Sequence, residues 1–240
     1  MLEKVKQAVN ETFWYSIGNM AIKLSGLILL PLYSKYLPIA IYGLLALFEI
    51  TSDILISISS FGVERALKRF YWNEEMEGKR GSLYFTAFIF SFISSTIFLL
   101  GMYFVLYNFS QPIFDMQVSK GLITLFLGMN LSKILFNNSL LILRVKQQVV
   151  KQTRFMLLNL IISVGFIIVL ITYTPLNIEA IFIAQIISYL VIFILLLPST
   201  INNIKFKFEA KLLKEMLNFS YPLALSSLLS LIFTLSDRYI

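Results

Sequence analysis

Charged side chains standing deep inside apolar runs are the first candidates for chemistry, because the run around them gives no reason for a charge. Lys23 sits in GNMAIKLSGLILLPLYSKYL (Gly18 to Leu37), Glu49 and Asp53 in the run that follows, and Lys133 in a later one. Polar neighbours accompany them at helical spacing. Ser16, Asn19, Lys23 and Gly26 recur at intervals of 3, 4 and 3; Glu49, Asp53 and Ser60 at 4 and 7; Asn130, Lys133 and Asn137 at 3 and 4; Ser227, Ser230, Thr234 and Asp237 at 3, 4 and 3. Each set falls on one face of a helix. A charge near the middle of a bilayer costs about 2.5–3.5 kcal/mol, so these stripes are expected to face one another or water. Two cations and two acids then offset one another across a central polar cavity. The competing reading is a set of buried ion pairs that fixes helix register and touches no ligand. Asn159, Ser163, Gln185 and Ser188 stand more singly and read as interhelical hydrogen bonds.

The elements that must position these residues follow from composition. Of 240 residues, 58% are hydrophobic and 14% charged, against about 45–50% and 25% in soluble domains. The apolar residues gather into blocks of roughly 20 or more, the length a helix needs to cross a hydrocarbon core about 30 Å thick. The blocks predict spans over residues 13–37, 41–63, 82–107, 121–143, 155–173 and 178–200, with a seventh from Phe219 still running at Ile240. The expected fold is therefore an all-α, polytopic transmembrane helix bundle of six complete spans plus a seventh at the C-terminus. Because the lead MLEKVKQAVNE carries acids and the first apolar run is long, that run reads as an uncleaved span rather than a signal peptide.

Loop charge sets the expected orientation. Fifteen Lys and Arg residues lie in the N-terminal lead and in alternate intervals after it, whereas the opposite intervals hold Lys35 and Lys120. Basic residues accumulate on the cytoplasmic side, which places the N-terminus there. The same distribution explains the net charge of +7 without a nucleic-acid partner. Two cytoplasmic intervals, RALKRFYWNEEMEGKR and KFKFEAKLLKEMLNF, mix charged and apolar residues at near-helical spacing and predict short surface helices. The outer intervals, LPIA, NFSQPIFDMQVS and TPLN, are short, so the work of the chain is expected within or across the membrane. Pro31 near the end of the first span is a candidate hinge, and Pro222 reads as opening the seventh. With no cysteine and no histidine, disulfides, thiol nucleophiles and imidazole bases are excluded. No catalytic residue, metal or cofactor is expected.

Three stretches, GNMAIKLSGLILLPLYSKYLPIAIYGLLALFEI, ISISSFGVERALKRFYW and NFSYPLALSSLLSLIFTLSDRYI, together resemble the polysaccharide flippases of the multidrug/oligosaccharidyl-lipid/polysaccharide exporter superfamily. The resemblance rests on Tyr42-Gly43 opening the second span, on Gly62 followed by Arg65 at its end, and on Pro222 and Asp237-Arg238 around the seventh. It implies a transporter of the inner, cytoplasmic membrane that moves lipid-linked oligosaccharide pyrophosphate between leaflets by alternating access. Such transporters have two lobes. Residues 1–218 then correspond to an N-terminal six-helix lobe and 219–240 to the start of a second.

On that reading Lys23, Lys133, Asn19 and Asn137 line the substrate cavity, with Arg65 at its cytoplasmic mouth and Arg238 at the outer end of the seventh span. Glu49 and Asp53 balance those cations or bind a coupling proton or sodium ion. Membrane lipids, and other glycan-assembly proteins, are the remaining expected partners. Within transport, the alternative is a drug or cation antiporter of the same superfamily that couples through Glu49 and Asp53. Beyond transport stand a membrane-embedded glycan-assembly enzyme and a non-transporting scaffold.

Overall fold

The computed structural model describes residues 2–114 and 118–235; within α1 the side chains of residues 2–11 and of Asn19 and Lys23 are among those outside the description. The described residues form eight α-helices: α1 (Leu2–Tyr36), α2 (Ile39–Ser59), α3 (Val63–Phe70), α4 (Arg80–Phe114), α5 (Lys120–Val145), α6 (Val149–Tyr173), α7 (Ile178–Ile201) and α8 (Ala210–Leu235). A 3-10 helix, Glu74–Lys79, joins α3 to α4. No strand occurs among the described residues. Among the described residues five helices, α2, α4, α5, α6 and α7, are long and apolar enough to cross a membrane. The helices α1 and α8 stand where the first and seventh spans were expected and are not among those five.

Burial explains how the helices are arranged. In α5 the most apolar window is 67% buried, whereas in α6 it is 11% buried although its mean hydropathy is higher. Water could not accommodate the second case, because exposed apolar area on that scale drives association; lipid can. Ile97, Phe104, Ile161 and Ile194 all point outward with more than half their surface exposed. The helix α5 is central, packed on α7, α4 and α6, while α1 lies on α6 and α2 on α4, α8 and α5. Gly18 permits the close approach of α1 to α6, since a Cβ there would meet Thr153 Cγ2 at 3.1 Å.

Two apolar clusters stack along the bundle. One is knotted by Phe48, Phe126 and Phe182 from α2, α5 and α7, with ring centroids 4.6 to 5.8 Å apart. The other gathers Leu67, Tyr84, Leu140, Leu196 and Met216. Several buried polar groups are paired across helices. Ser95 donates to Ser59 Oγ at 3.0 Å, Ser94 to Ser59 O at 2.8 Å, and Tyr84 to Asn138 O at 2.9 Å. An unmade bond there would cost about 1–3 kcal/mol, so these pairs fix the register of α2, α4 and α5.

One end of the bundle gathers most of the basic connections. Lys205 reaches Gly78 O at 3.1 Å, Lys146 donates to Asn203 Oδ1, Trp72 Nε1 caps Val145 O at 3.0 Å, and Arg154 stands 6.0 Å from the Trp14 ring centre. The α5 terminus closes through Gln147 at φ 56°, with Gln148 N donating to Leu143 O at 2.9 Å, a Schellman arrangement.

Several boundaries differ from expectation. The second apolar run does not continue as helix to Val63: α2 stops at Ser59, and Phe61 (φ 48°) and Gly62 (φ 69°) turn the chain into α3. A Cβ on Gly62 would meet Ser220 O at 3.3 Å, so both the backbone angle and the approach of α8 favour glycine. The segment around Lys205 to Phe208 is not a surface helix. Its Lys205 backbone lies against Gly81, where an added Cβ would stand 2.9 Å from the Lys205 nitrogen. The remaining charged part begins α8, which runs unbroken through Pro222 instead of starting there and carries the chain across residues 218 and 219. Likewise α1 runs through Pro31.

Candidate functional site: two cavities divided by one helix face

The helix α5 positions the site. At about 100° per residue, Lys133, Asn137 and Arg144 fall within roughly 40° of one another on its surface, while Asn130 is turned about 60° from Lys133 and is fully buried. That turn aims Asn130 at α2. Its Nδ2 donates to Phe126 O at 2.8 Å, and its Oδ1 accepts from Ser52 Oγ at 2.7 Å. Ser52 in turn accepts from Lys133 Nζ at 3.3 Å, and Lys133 pairs with Asp53 Oδ1 at 3.1 Å. The opposite charges expected to offset one another thus meet between α2 and α5. The pair is asymmetric: the Lys133 side chain is 25% exposed and that of Asp53 63%.

Lys133, Asn137 and Arg144 line two cavities at once. The first, about 320 Å³, opens between α2, α3, α5 and α8 and adds Asp53, Ser60, Glu64, Arg65, Lys68 and Ser227. The second, about 420 Å³, lies between α1, α2, α5, α6 and α7. Its polar wall includes Glu49, Asn159, Ser163 and Gln185, with Tyr33 and Tyr189 beside them, and Gly26 forms part of its rim on α1. The face of α5 is the partition between them. Along that face Lys133 and Arg144 stand 11 residues apart, about 16 Å of helix rise.

Two polar atoms at the second cavity are buried without a hydrogen-bond partner: Arg144 Nε, a donor, and Asn159 Oδ1, an acceptor. No salt bridge to Arg144 occurs among the described residues. Arg65 is engaged differently, its Nη1 donating to Leu223 O of α8 at 2.8 Å. It stands at the mouth of the first cavity and ties α3 to α8.

Of the residues singled out by spacing, Lys133, Asn137, Asp53, Ser60 and Ser227 gather at the first cavity, where Arg65, singled out by resemblance, joins them, and Glu49 joins Lys133 and Asn137 at the second. Glu49 and Asp53 therefore part company although they share a helix face in sequence. Asn19 and Lys23 lie on α1, but their side chains are outside the described residues; Asp237 and Arg238 lie outside them altogether. Arg144 is one of the fifteen basic residues that set the expected orientation, at the start of the interval between spans four and five, yet it lines both cavities. The signal was present: Arg144 follows Asn137 by 7, two full turns, on the same stripe. Asn159, Ser163 and Gln185 had looked like isolated interhelical bonds, and they line the second cavity instead. Ser188 is buried and donates to Gln185 O at 3.0 Å, as a local helix bond.

A cation ladder of this kind is suited to anions, because fixed ammonium and guanidinium groups replace the hydration that a phosphate loses away from water. No curated protein and no solved structure matches the chain. The sequence model of the family described as Polysaccharide biosynthesis protein matches residues 8–240. With that match running from before the first stripe to the last residue, the chain belongs to the polysaccharide biosynthesis protein family.

Proposed function

We propose that the chain is a membrane carrier for lipid-linked oligosaccharide or polysaccharide precursors, moving them across the cytoplasmic membrane by alternating access, and that it is not an enzyme. The observation that carries this reading is the partition of α5: Lys133, Asn137 and Arg144 line two cavities together. A diphosphate headgroup offers acceptors to such a face. Lys133 reaches it by exchanging Asp53 for phosphate, and Arg65 and Lys68 guide it at the mouth of the first cavity. Lys23 and Asn19 on α1, and Arg238, join the substrate path by spacing and resemblance. Asp53 then balances Lys133 when no substrate is bound, and a drug antiporter built on Asp53 would find that carboxylate already paired.

On the same reading residues 1–218 form one lobe, α8 begins a second, and six spans precede it. The basic end of the bundle faces the cytoplasm. Because the chain has no cysteine, single cysteines report sidedness cleanly: one at Lys68 is expected to react with a membrane-impermeant maleimide only from the cytoplasmic side, and one at Lys120 only from the other.

The decisive test is export. In cells that depend on this protein for surface glycan, Lys133→Ala is expected to abolish export with protein level unchanged, and full export would refute the carrier role of the partition. Resistance to cationic dyes on overexpression would favour antiport, and conversion of a labelled precursor by the purified chain would favour an enzyme.

A further inference from the structure

The groove between α4 and α5 takes no part in the carrier reading. About 260 Å³ in volume, it is lined by Leu99 and Leu100 of α4 and by Leu127, Gly128 and Leu131 of α5. Thr96 and Thr124 line it too, and each spends its hydroxyl on its own helix: Thr96 donates to Phe92 O at 2.8 Å and Thr124 to Lys120 O at 3.0 Å. The wall is therefore hydrocarbon in character along most of its length. Leu100 on the rim is 61% exposed, and Ile97 and Phe104 on the same face of α4 also point outward. The groove opens where the bundle meets lipid.

One end of it is different. Tyr103 belongs to the lining and stacks on Tyr107 with ring centres 6.1 Å apart, and Lys120 Nζ stands 4.8 Å from the Tyr107 ring centre. Lysine and tyrosine together mark headgroup level. No salt bridge to Lys120 occurs among the described residues. From this end the groove runs down both helices: Thr96 lies 11 residues from Tyr107 on α4, and Leu131 lies 11 residues from Lys120 on α5. Each interval is about 16 Å of rise, about half of a hydrocarbon core roughly 30 Å thick. The groove thus has the depth of one leaflet. It also lies away from the cavities, since Thr124, Gly128 and Leu131 are turned about 140–180° from Lys133 around α5. A headgroup held at Lys133 is on the other side of the helix.

We propose that the groove between α4 and α5 is a site for a resident anionic phospholipid: one acyl chain lies along the leucines, and the phosphate meets the Lys120 ammonium beside the tyrosine pair. Charge sets the preference, because a zwitterionic headgroup brings its own cation to Lys120 and an anionic one does not. The chain fills the space between the two helices and steadies α4 against α5. The inference needs α4 and α5 to cross the membrane and nothing of the carrier reading.

Native mass spectrometry tests the site on the purified 240-residue chain, titrated in detergent with phosphatidylglycerol or with phosphatidylcholine of the same acyl chains. The first phosphatidylglycerol is expected to bind about fivefold tighter than the first phosphatidylcholine, the worth of one cation at a lipid surface. Lys120 is exposed, so its replacement leaves the packing intact. Lys120→Gln should bring the two lipids level and Lys120→Arg should keep the preference. Lys35→Gln, at the other lysine of the intervals opposite the basic end, should leave it unchanged. Thr124→Phe, at an exposed position of the wall, fills the groove and should weaken the first site for both lipids. Equal binding of the two lipids by the unsubstituted chain, or a preference that survives both Lys120→Gln and Thr124→Phe, would overturn the proposal. So would tighter first binding of a polyprenyl diphosphate that Thr124→Phe abolishes, which would give the groove to the tail of a carried lipid instead.

Discussion

The two cavities share one wall and differ in the rest of their lining. The cavity between α2, α3, α5 and α8 is rimmed by ionised groups, among them Asp53, Glu64, Arg65 and Lys68, and several of these are exposed. The cavity between α1, α5, α6 and α7 holds the amides of Asn159 and Gln185 and two tyrosines, with Glu49 as the acid of its wall. Charged groups in an open mouth keep their hydration and can capture an ion at long range. Neutral donors and acceptors discriminate by geometry, because an unmatched one costs the desolvation of the group. The two linings thus differ in charge, with Lys133, Asn137 and Arg144 common to both.

The largest expected effect comes from the shared wall. Arg144→Leu removes a guanidinium that lines both cavities and, on the proposed carrier reading, is expected to weaken lipid diphosphate binding by about 10- to 100-fold, the worth of hydrogen bonds to a charged group. Lys68→Ala, on the exposed rim of the first cavity alone, should cost about threefold or less. Equal losses in a binding titration would break the distinction between partition and rim.

A second comparison sets one glycine against another. Gly62 has φ 69° and abuts Ser220 O, whereas Gly26 is helical and its Cβ position is empty. Gly62→Ala should destabilise the chain by about 1–2 kcal/mol, the cost of a left-handed conformation with a side chain. Gly26→Ala should be neutral or stabilising by up to about 1 kcal/mol, since alanine is the better helix former. Thermal unfolding of the two variants in the same detergent checks both signs. A stabilised Gly62→Ala would show that the turn between α2 and α3 is not clamped to α8.

The smallest effect lies outside both cavities, at the segment before α8. Hydrogen bonding from Ser82, and then the Lys207 ammonium at 3.3 Å, hold the Glu209 carboxyl below its ordinary value of 4.5. A depressed carboxyl stabilises the fold fully above its unfolded value and loses that contribution as pH falls through the folded one. Melting measured from about pH 6 down to about pH 3 should therefore show a slight acid loss that Ser82→Ala reduces. An acid response unchanged by that substitution would remove Ser82 as its cause.

Much of this was legible before any coordinates. The blocks near Gly121, Phe155 and Ile178 became α5, α6 and α7 with ends shifted by a few residues at most positions, because a membrane helix must satisfy its own backbone and its length follows from bilayer thickness. The stripe on α5 was visible for the same reason. Less legible was the end of the second run, where apolar residues continue through Phe61 and the break depends on two positive φ angles stabilised by contact with α8. Arg144 was hidden by its neighbours: with Lys146, Lys151 and Arg154 close behind it, it read as one of a loop's basic residues.

Sequence by itself determined that this chain is a bundle of apolar helices with polar stripes, since composition and periodicity act locally and are read one helix at a time. Which stripes meet was decided only in three dimensions. Glu49 and Asp53 share a face on paper and line different cavities. Asn130 shares a stripe with Lys133 and spends its hydrogen bonds inside the core. Asn159 and Gln185, from separate helices, become neighbours at one wall. The reason is geometric: helical periodicity fixes the direction of a side chain relative to its own axis, whereas the rotation and offset of each axis are set by packing against neighbours far away in the chain.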